Sequence, residues 1–154
     1  MSEVRRPERT GAVEDRAVAD LHPDYPLPDV DHPVTKPFWD GCRERRLVVQ
    51  RDRETGAYHW PPKPAYWKGG RLDWVRTRGT GTIYTYVVGH EPFLPAFRAL
   101  LPLPMVVVEL DEGPRLVGYM VSCRPEDVAI GKRVRVVFRP LTERVTLPVW
   151  ELAR

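Results

Sequence analysis

Hydrophobic and polar positions change rhythm twice along this chain. Residues 1–33 carry few apolar side chains and no period. Within them "YPLPDVDHP" is interrupted by Pro26, Pro28 and Pro33, which excludes helix and favours an extended run. The pattern predicts a flexible lead that becomes an extended arm. "TKPFWDGCRERR", 35–46, then reads as a short helix, with Thr35 as its N-cap and Pro37 tolerated in the first turn. Phe38, Trp39 and Cys42 fall on neighbouring positions of one helix face. "LVVQ", 47–50, reads as a short strand.

From about Leu72 the rhythm becomes that of strands. "DWVRTRG" is one candidate, and "GTIYTYVVGH", 81–90, is rich in residues that suit a pleated surface. "MVVVEL", 105–110, is a buried-strand run, "DEGP" a tight turn, and "RLVGYMVSC", 115–123, its pairing partner. "RPEDVAIGK", 124–132, predicts one or two helical turns closed by Gly131. "RVRVVFRP", 133–140, sets Val134, Val136 and Phe138 against Arg133, Arg135 and Arg139. "RVTLPVWEL", 144–152, is a last strand whose Pro148 implies an edge or a bulge. The expectation is a mainly β protein, with a five-stranded OB-fold barrel and a short helix over 71–154. The proline-broken "EPFLPAFRALLPLP", 91–104, is an inserted loop between two barrel strands.

Between helix and barrel lies "QRDRETGAYHWPPKPAYWKGG", 50–70. It has the two turns and the Pro-Pro of a zinc ribbon, and no cysteine. The chain has only Cys42 and Cys123, too few for a disulfide framework or a four-cysteine metal site, and suited to a reducing compartment. Net charge is +3 from 24 basic and 21 acidic residues, a mixed surface that argues against nucleic acid as the main partner. No stretch reaches the roughly 20 apolar residues of a membrane span, and the paired arginines near the start precede no apolar run. A soluble, cytoplasmic protein is expected.

The segments "KPFWDGCRERRLVVQR", "GAYHWPPKP", "GTGTIYTYVVGHEP", "VVVELDEGPRLVGYMV", "PEDVAIGKRVRVVF" and "VTLPVW" together resemble a known family, over roughly residues 25–152. It is the acyl-CoA-associated family of OB-fold proteins with an N-terminal rubredoxin-like zinc ribbon, formerly a domain of unknown function. The resemblance implies a flexible or extended arm at 1–33, helix plus ribbon at 34–70, and the OB-fold at 71–154. Laid on the family's cysteine pattern, the four metal positions fall on Asp52, Thr55, Tyr66 and Gly69. Only Asp52 is a possible ligand, so the hairpin is expected to be degenerate and metal-free, with no cofactor. Structural zinc contributes about 10 kcal/mol or more to isolated fingers. The aromatics Tyr58, Trp60, Tyr66 and Trp67 are the expected replacement.

By resemblance the protein is a non-catalytic accessory subunit. It would dock on a thiolase-like enzyme, a thiolase or aldolase acting on acyl-CoA in steroid, lipid or aromatic degradation or polyketide-like metabolism, and shape the complex and its substrate entrance. A hetero-oligomer around a thiolase-type dimer is implied. The residues agree with a non-catalytic part: Ser2 and Ser122 sit in no nucleophile elbow, and no phosphate-cradling glycine loop is present. Candidate interface residues are Phe38, Trp39, Trp60, Trp67, Phe93, Leu94 and Phe97, aromatic and apolar anchors with arginines nearby. His90, at a strand end beside Glu91, is the candidate polar contact to substrate or partner. Two other readings stand beside this one. One is an OB-fold that binds single-stranded nucleic acid through Arg133, Arg135 and Arg139. The other is a module that binds acyl-CoA directly.

Overall fold

The computed structural model describes residues 22–154. The expectations for residues 1–21, the first part of the arm, lie outside them. Among the described residues one α-helix, α1 (Lys36–Arg43), is followed by eight strands. β1 (Val48–Asp52), β2 (Tyr58–His59) and β3 (Leu72–Arg76) form an antiparallel sheet in the order β2-β1-β3, which is the ribbon. β4 (Thr80–Gly89), β5 (Leu103–Leu110), β6 (Arg115–Tyr119), β7 (Arg133–Pro140) and β8 (Thr146–Leu152) form the second sheet, ordered β6-β5-β4-β7-β8. The "DWVRTRG" strand therefore pairs with β1 in the ribbon, and the chain crosses to the barrel at Thr77–Gly79.

Helix α1 turns Phe38 and Cys42 inward, at 5% and 0% exposure. Thr35 does not cap it: the hydroxyl faces the His32 carbonyl at 3.5 Å, and no side-chain cap bond forms. Gly41 allows the chain to fold back beneath the helix, since a Cβ there would stand 2.8 Å from the Arg46 carbonyl oxygen. The crossing into the barrel is tied on both sides. Thr77 donates its amide and its hydroxyl to the Leu47 carbonyl, at 2.9 and 3.0 Å. The Arg78 amide donates to Glu112 in the β5–β6 turn at 2.8 Å.

The five-stranded sheet curls until its ends meet. Beyond β6, Met120 bridges Trp150 of β8 in parallel, and the Val121 amide donates to the Trp150 carbonyl at 2.8 Å. The interior is filled by alternate residues, among them Ile83, Val106, Val108, Leu116, Val134 and Trp150. This is the OB-fold plan, a partly open barrel of short strands. The alternation that fills the inside also sets rows on the outside: Val87, Met105 and Tyr119 in one, Thr85, Val107 and Val117 in the next.

Two expected elements differ. The helix expected over 124–132 is a single 3-10 turn, Pro125–Asp127. Val128 leaves it in extended conformation to bury its side chain, and the Gly131 amide donates to the Ile83 carbonyl, so that segment joins β4. The 91–104 loop contains a 3-10 helix, Pro95–Leu100, that buries Ala96 and Phe97.

Candidate functional site

β1 delivers Asp52 to the first turn of the ribbon, where the family would place a metal ligand. The Asp52 side chain is fully buried. One carboxylate oxygen accepts the amides of Glu54 and Thr55, at 2.9 and 3.2 Å. The other accepts the Arg71 guanidinium at 3.0 Å. Arg71 lies just after the second turn and also pairs with Glu54. Burial opposes ionisation of Asp52, but the two amides and Arg71 outweigh it and hold the carboxyl below its ordinary pKa. Arg53 adds a second tie, reaching Asp73 at 2.8 Å and the Gly70 carbonyl at 3.1 Å. Two turns that a ribbon usually joins through metal are joined here by an ion pair between a buried carboxylate and a half-buried guanidinium.

The residues present do not fit zinc. The Thr55 hydroxyl accepts the Ala57 amide, Tyr66 is 80% exposed, and Gly69 has no side chain. The lone pairs of Asp52 already face three donors. Among the described residues no group of three or more His, Cys, Asp or Glu could hold a metal ion. His59 leaves Nε2 buried and without a hydrogen-bond partner, on the strand next to β1. The aromatic residues expected to replace the metal divide. Trp60 packs on Phe38 with ring centroids 4.8 Å apart, and Tyr58 lies under Arg51. Tyr66 and Trp67 face solvent. Sequence reasoning missed Arg71. The signal was available, since it is a cation placed after the second turn as Asp52 is before the first.

The candidate interface residues fall in two environments. Phe38 is buried, and Trp39 and Trp60 are half-buried against it between helix and ribbon. Phe97 is buried beneath Phe93, stacked at 4.7 Å. Trp67, Phe93 and Leu94 are exposed, with Lys63 placed over the Trp67 ring. His90 is exposed immediately after β4. The structure adds apolar residues that the sequence left unassigned to a face. Val87 and Val117 are 59% and 77% exposed on the outside of the barrel, and Tyr84 lies beneath Arg115 at 3.6 Å.

Two of the arginines considered for a nucleic-acid groove are neutralised. Arg133 forks onto Asp111, and Arg135 pairs with Glu151. Neither thiol is poised to react. Burial pushes Cys42 up to about 12, and burial together with Asp127 raises Cys123.

The extended arm lies across the barrel. The Tyr25 ring meets Phe97 at 5.2 Å, and its hydroxyl bonds Tyr119 at the end of β6. Burial, then Tyr119, pushes that hydroxyl well above the usual tyrosine range. Six residues on, Asp31 pairs with Arg144 at 2.6 Å in the β7–β8 turn.

Comparison with known proteins agrees with this architecture. Residues 39–65 match the rubredoxin-like zinc ribbon domain of ChsH2, and residues 74–139 match its C-terminal OB-fold domain. A 3-oxo-4,17-pregnadiene-20-carboxyl-CoA hydratase alpha subunit of Mycobacterium tuberculosis is 34% identical over 135 residues. That match covers 86% of this chain but 40% of the hydratase subunit, so the chain spans less than half of that relative. A DUF35 domain-containing scaffold protein of Methanocaldococcus jannaschii is 34% identical over 109 residues, covering 68% of this chain and 77% of the scaffold protein. Among solved structures, a chain of the Ltp2–ChsH2(DUF35) aldolase superposes with a TM-score of 0.72 at 32% identity, over 82% of this chain and 99% of that one.

Proposed function

The chain belongs to the ChsH2-type DUF35 family of ribbon-plus-OB-fold proteins, and from that membership we propose that it is a non-catalytic accessory subunit of an acyl-CoA-processing enzyme complex. The finer reading is a hetero-oligomer with a thiolase-like partner, a thiolase or aldolase, whose substrate is a steroid-like or other bulky acyl-CoA. The observation that carries it is the near-complete overlap with a chain of the Ltp2–ChsH2(DUF35) aldolase. The names of the hydratase alpha subunit and the scaffold protein support the same reading.

The surface is consistent with docking. Trp67, Phe93 and Leu94 are exposed anchors, and a few such residues carry most of the affinity of an interface. Val87 and Val117 extend the apolar surface along the barrel. Phe97 supports Phe93 from inside the chain, and Phe38, Trp39 and Trp60, also candidates for the interface, pack on one another between helix and ribbon. His90, exposed beside the 91–102 loop, is the proposed polar contact at the substrate entrance.

The test is co-expression with a thiolase-like acyl-CoA enzyme from the same genome, followed by gel filtration and a turnover assay. Co-elution as a hetero-oligomer, and loss of turnover when this chain is omitted, are expected. Separate elution of the two, with turnover indifferent to this chain, would sink the proposal.

A further inference from the structure

An OB-fold binds its ligands on the face of its second and third strands, between the loop joining strands one and two and the loop joining strands four and five. In this barrel those strands are β5 and β6, and the loops are residues 90–102 and 141–145. The arm touches β6 and both loops. Tyr25 contacts Phe97 of the first loop and Tyr119 at the end of β6, and Asp31 contacts Arg144 of the second loop. Residues 25–29 run without a turn, as Pro26 and Pro28 favour, and the chain then turns at 30–31, where the Asp31 amide donates to the Asp29 carboxylate. The arm is thus anchored at both ends of the place where other OB-folds hold an extended ligand.

We propose that this groove is a peptide-binding site for extended, proline-rich segments carrying a tyrosine and an aspartate six residues apart, with residues 25–31 as its resident occupant. The aromatic wall takes the tyrosine ring: Phe97 is itself backed by Phe93. Arg144 takes the carboxylate as a charge-assisted pair. Between the anchors the arm holds little: Leu27 is 47% exposed and Asp29 is exposed. A segment held mainly at its two ends opens locally at low cost, so it exchanges with a competitor of the same pattern. The proline content lowers the ordering entropy of any segment that binds there. This inference does not depend on the enzyme partner, so its failure leaves the docking proposal standing.

The experiment uses the full chain and a fluorescent peptide of residues 22–34, HPDYPLPDVDHPV, read by anisotropy. In the wild type the resident arm competes, and binding is weak. In the Tyr25→Ala/Asp31→Ala double variant the groove is vacated, and the same peptide binds at least ~10-fold tighter. Asp31→Ala alone, a change at an exposed position, shows part of that gain and keeps the proposal testable if the double variant folds poorly. A peptide carrying the same two substitutions does not bind. Equal peptide affinity for wild type and folded variants overturns the proposal. So does a vacated groove that takes single-stranded oligo-dT in preference to the peptide.

Discussion

The Arg71 guanidinium donates to the Asp52 carboxylate at 3.0 Å, and Asp52 is fully buried. This one contact spans 19 residues and joins the two turns of the ribbon. Removing Asp52 leaves Arg71 with Glu54 alone and takes the acceptor from the Glu54 and Thr55 amides, so several bonds to one buried carboxylate are lost together. Asp52→Ala is therefore expected to lower the melting temperature by roughly 5–10 °C. EDTA and added zinc leave the wild-type melt unchanged. A melt that drops on chelation would show that metal, not Arg71, holds the ribbon.

Acid should dissolve this tie. Asp52 is held below its ordinary pKa by the Thr55 and Glu54 amides and Arg71, against burial. Asp111 is held well below it by Arg133 and Thr80. A carboxyl with a depressed folded pKa contributes stability that is fully present above its unfolded value, about 3.9 for Asp. That contribution is lost as pH falls through the folded value. The melting temperatures of wild type and Asp52→Asn should thus differ by a constant amount above pH ~5 and converge below pH ~3.9. A gap that widens on acidification would contradict the pairing.

Much of this fold was legible because its periods were clean. β7 alternates Val134, Val136 and Phe138 against arginines, and its observed limits are those of the sequence pattern. The run "MVVVEL" was legible as a strand but not as a face, because three consecutive valines hide which one points inward. The pairing Val107↔Val117 resolves it, and with it the exposed row that includes Val117. The Asp52–Arg71 contact was legible only by setting one turn beside the other, since its two positions lie 19 residues apart and neither stands out in its own turn. The expected helix at 124–132 failed for a tertiary reason. Burying Val128 and pairing Gly131 with Ile83 outweighed another turn of helix.

Barrel closure gives a packing prediction. Gly118 lies against the indole of Trp150, where an added Cβ would be 2.7 Å from Nε1 and 2.8 Å from Cδ1. Trp150 is 1% exposed and cannot swing away without moving the core. Gly118→Ala should cost about 1–3 kcal/mol and lower the melting temperature by roughly 5 °C. Denaturant melts followed by tryptophan fluorescence would measure it. An unchanged midpoint would mean that β6 and β8 separate more easily than the Met120–Trp150 bridge implies.

The two thiols should differ in reactivity. Cys42 is 0% exposed and pushed from 9.0 to about 12, which leaves about a thousandfold less thiolate than an ordinary cysteine at the same pH. Native protein treated with iodoacetamide at pH 8 should acquire its label, read by mass and peptide mapping, at Cys123 before Cys42. Label appearing first on Cys42 would point to an opening of the α1–β1 packing.

The last prediction concerns the proposed docking surface. Trp67 and Phe93 are exposed on different elements, one after the ribbon's prolines and one at the start of the barrel's long loop. Trp67 is not needed for the interior, so Trp67→Asp should leave the melting temperature nearly unchanged; Phe93 covers the buried Phe97, so Phe93→Asp should lower it modestly while the fold holds. Loss of a buried aromatic anchor at an interface costs about 2 kcal/mol or more, which is about 30-fold in Kd. Each variant is expected to weaken binding to the thiolase-like partner by that factor, measured by calorimetry on the co-expressed pair's separated subunits. If only Phe93→Asp weakens binding, the partner sits on the barrel and the ribbon serves to brace it. If only Trp67→Asp does, the ribbon is the docking element, and the Asp52–Arg71 pair is what keeps its turn in place. If neither changes Kd, these exposed aromatics are not the interface, and Val87 and Val117 on the barrel face become the positions to substitute.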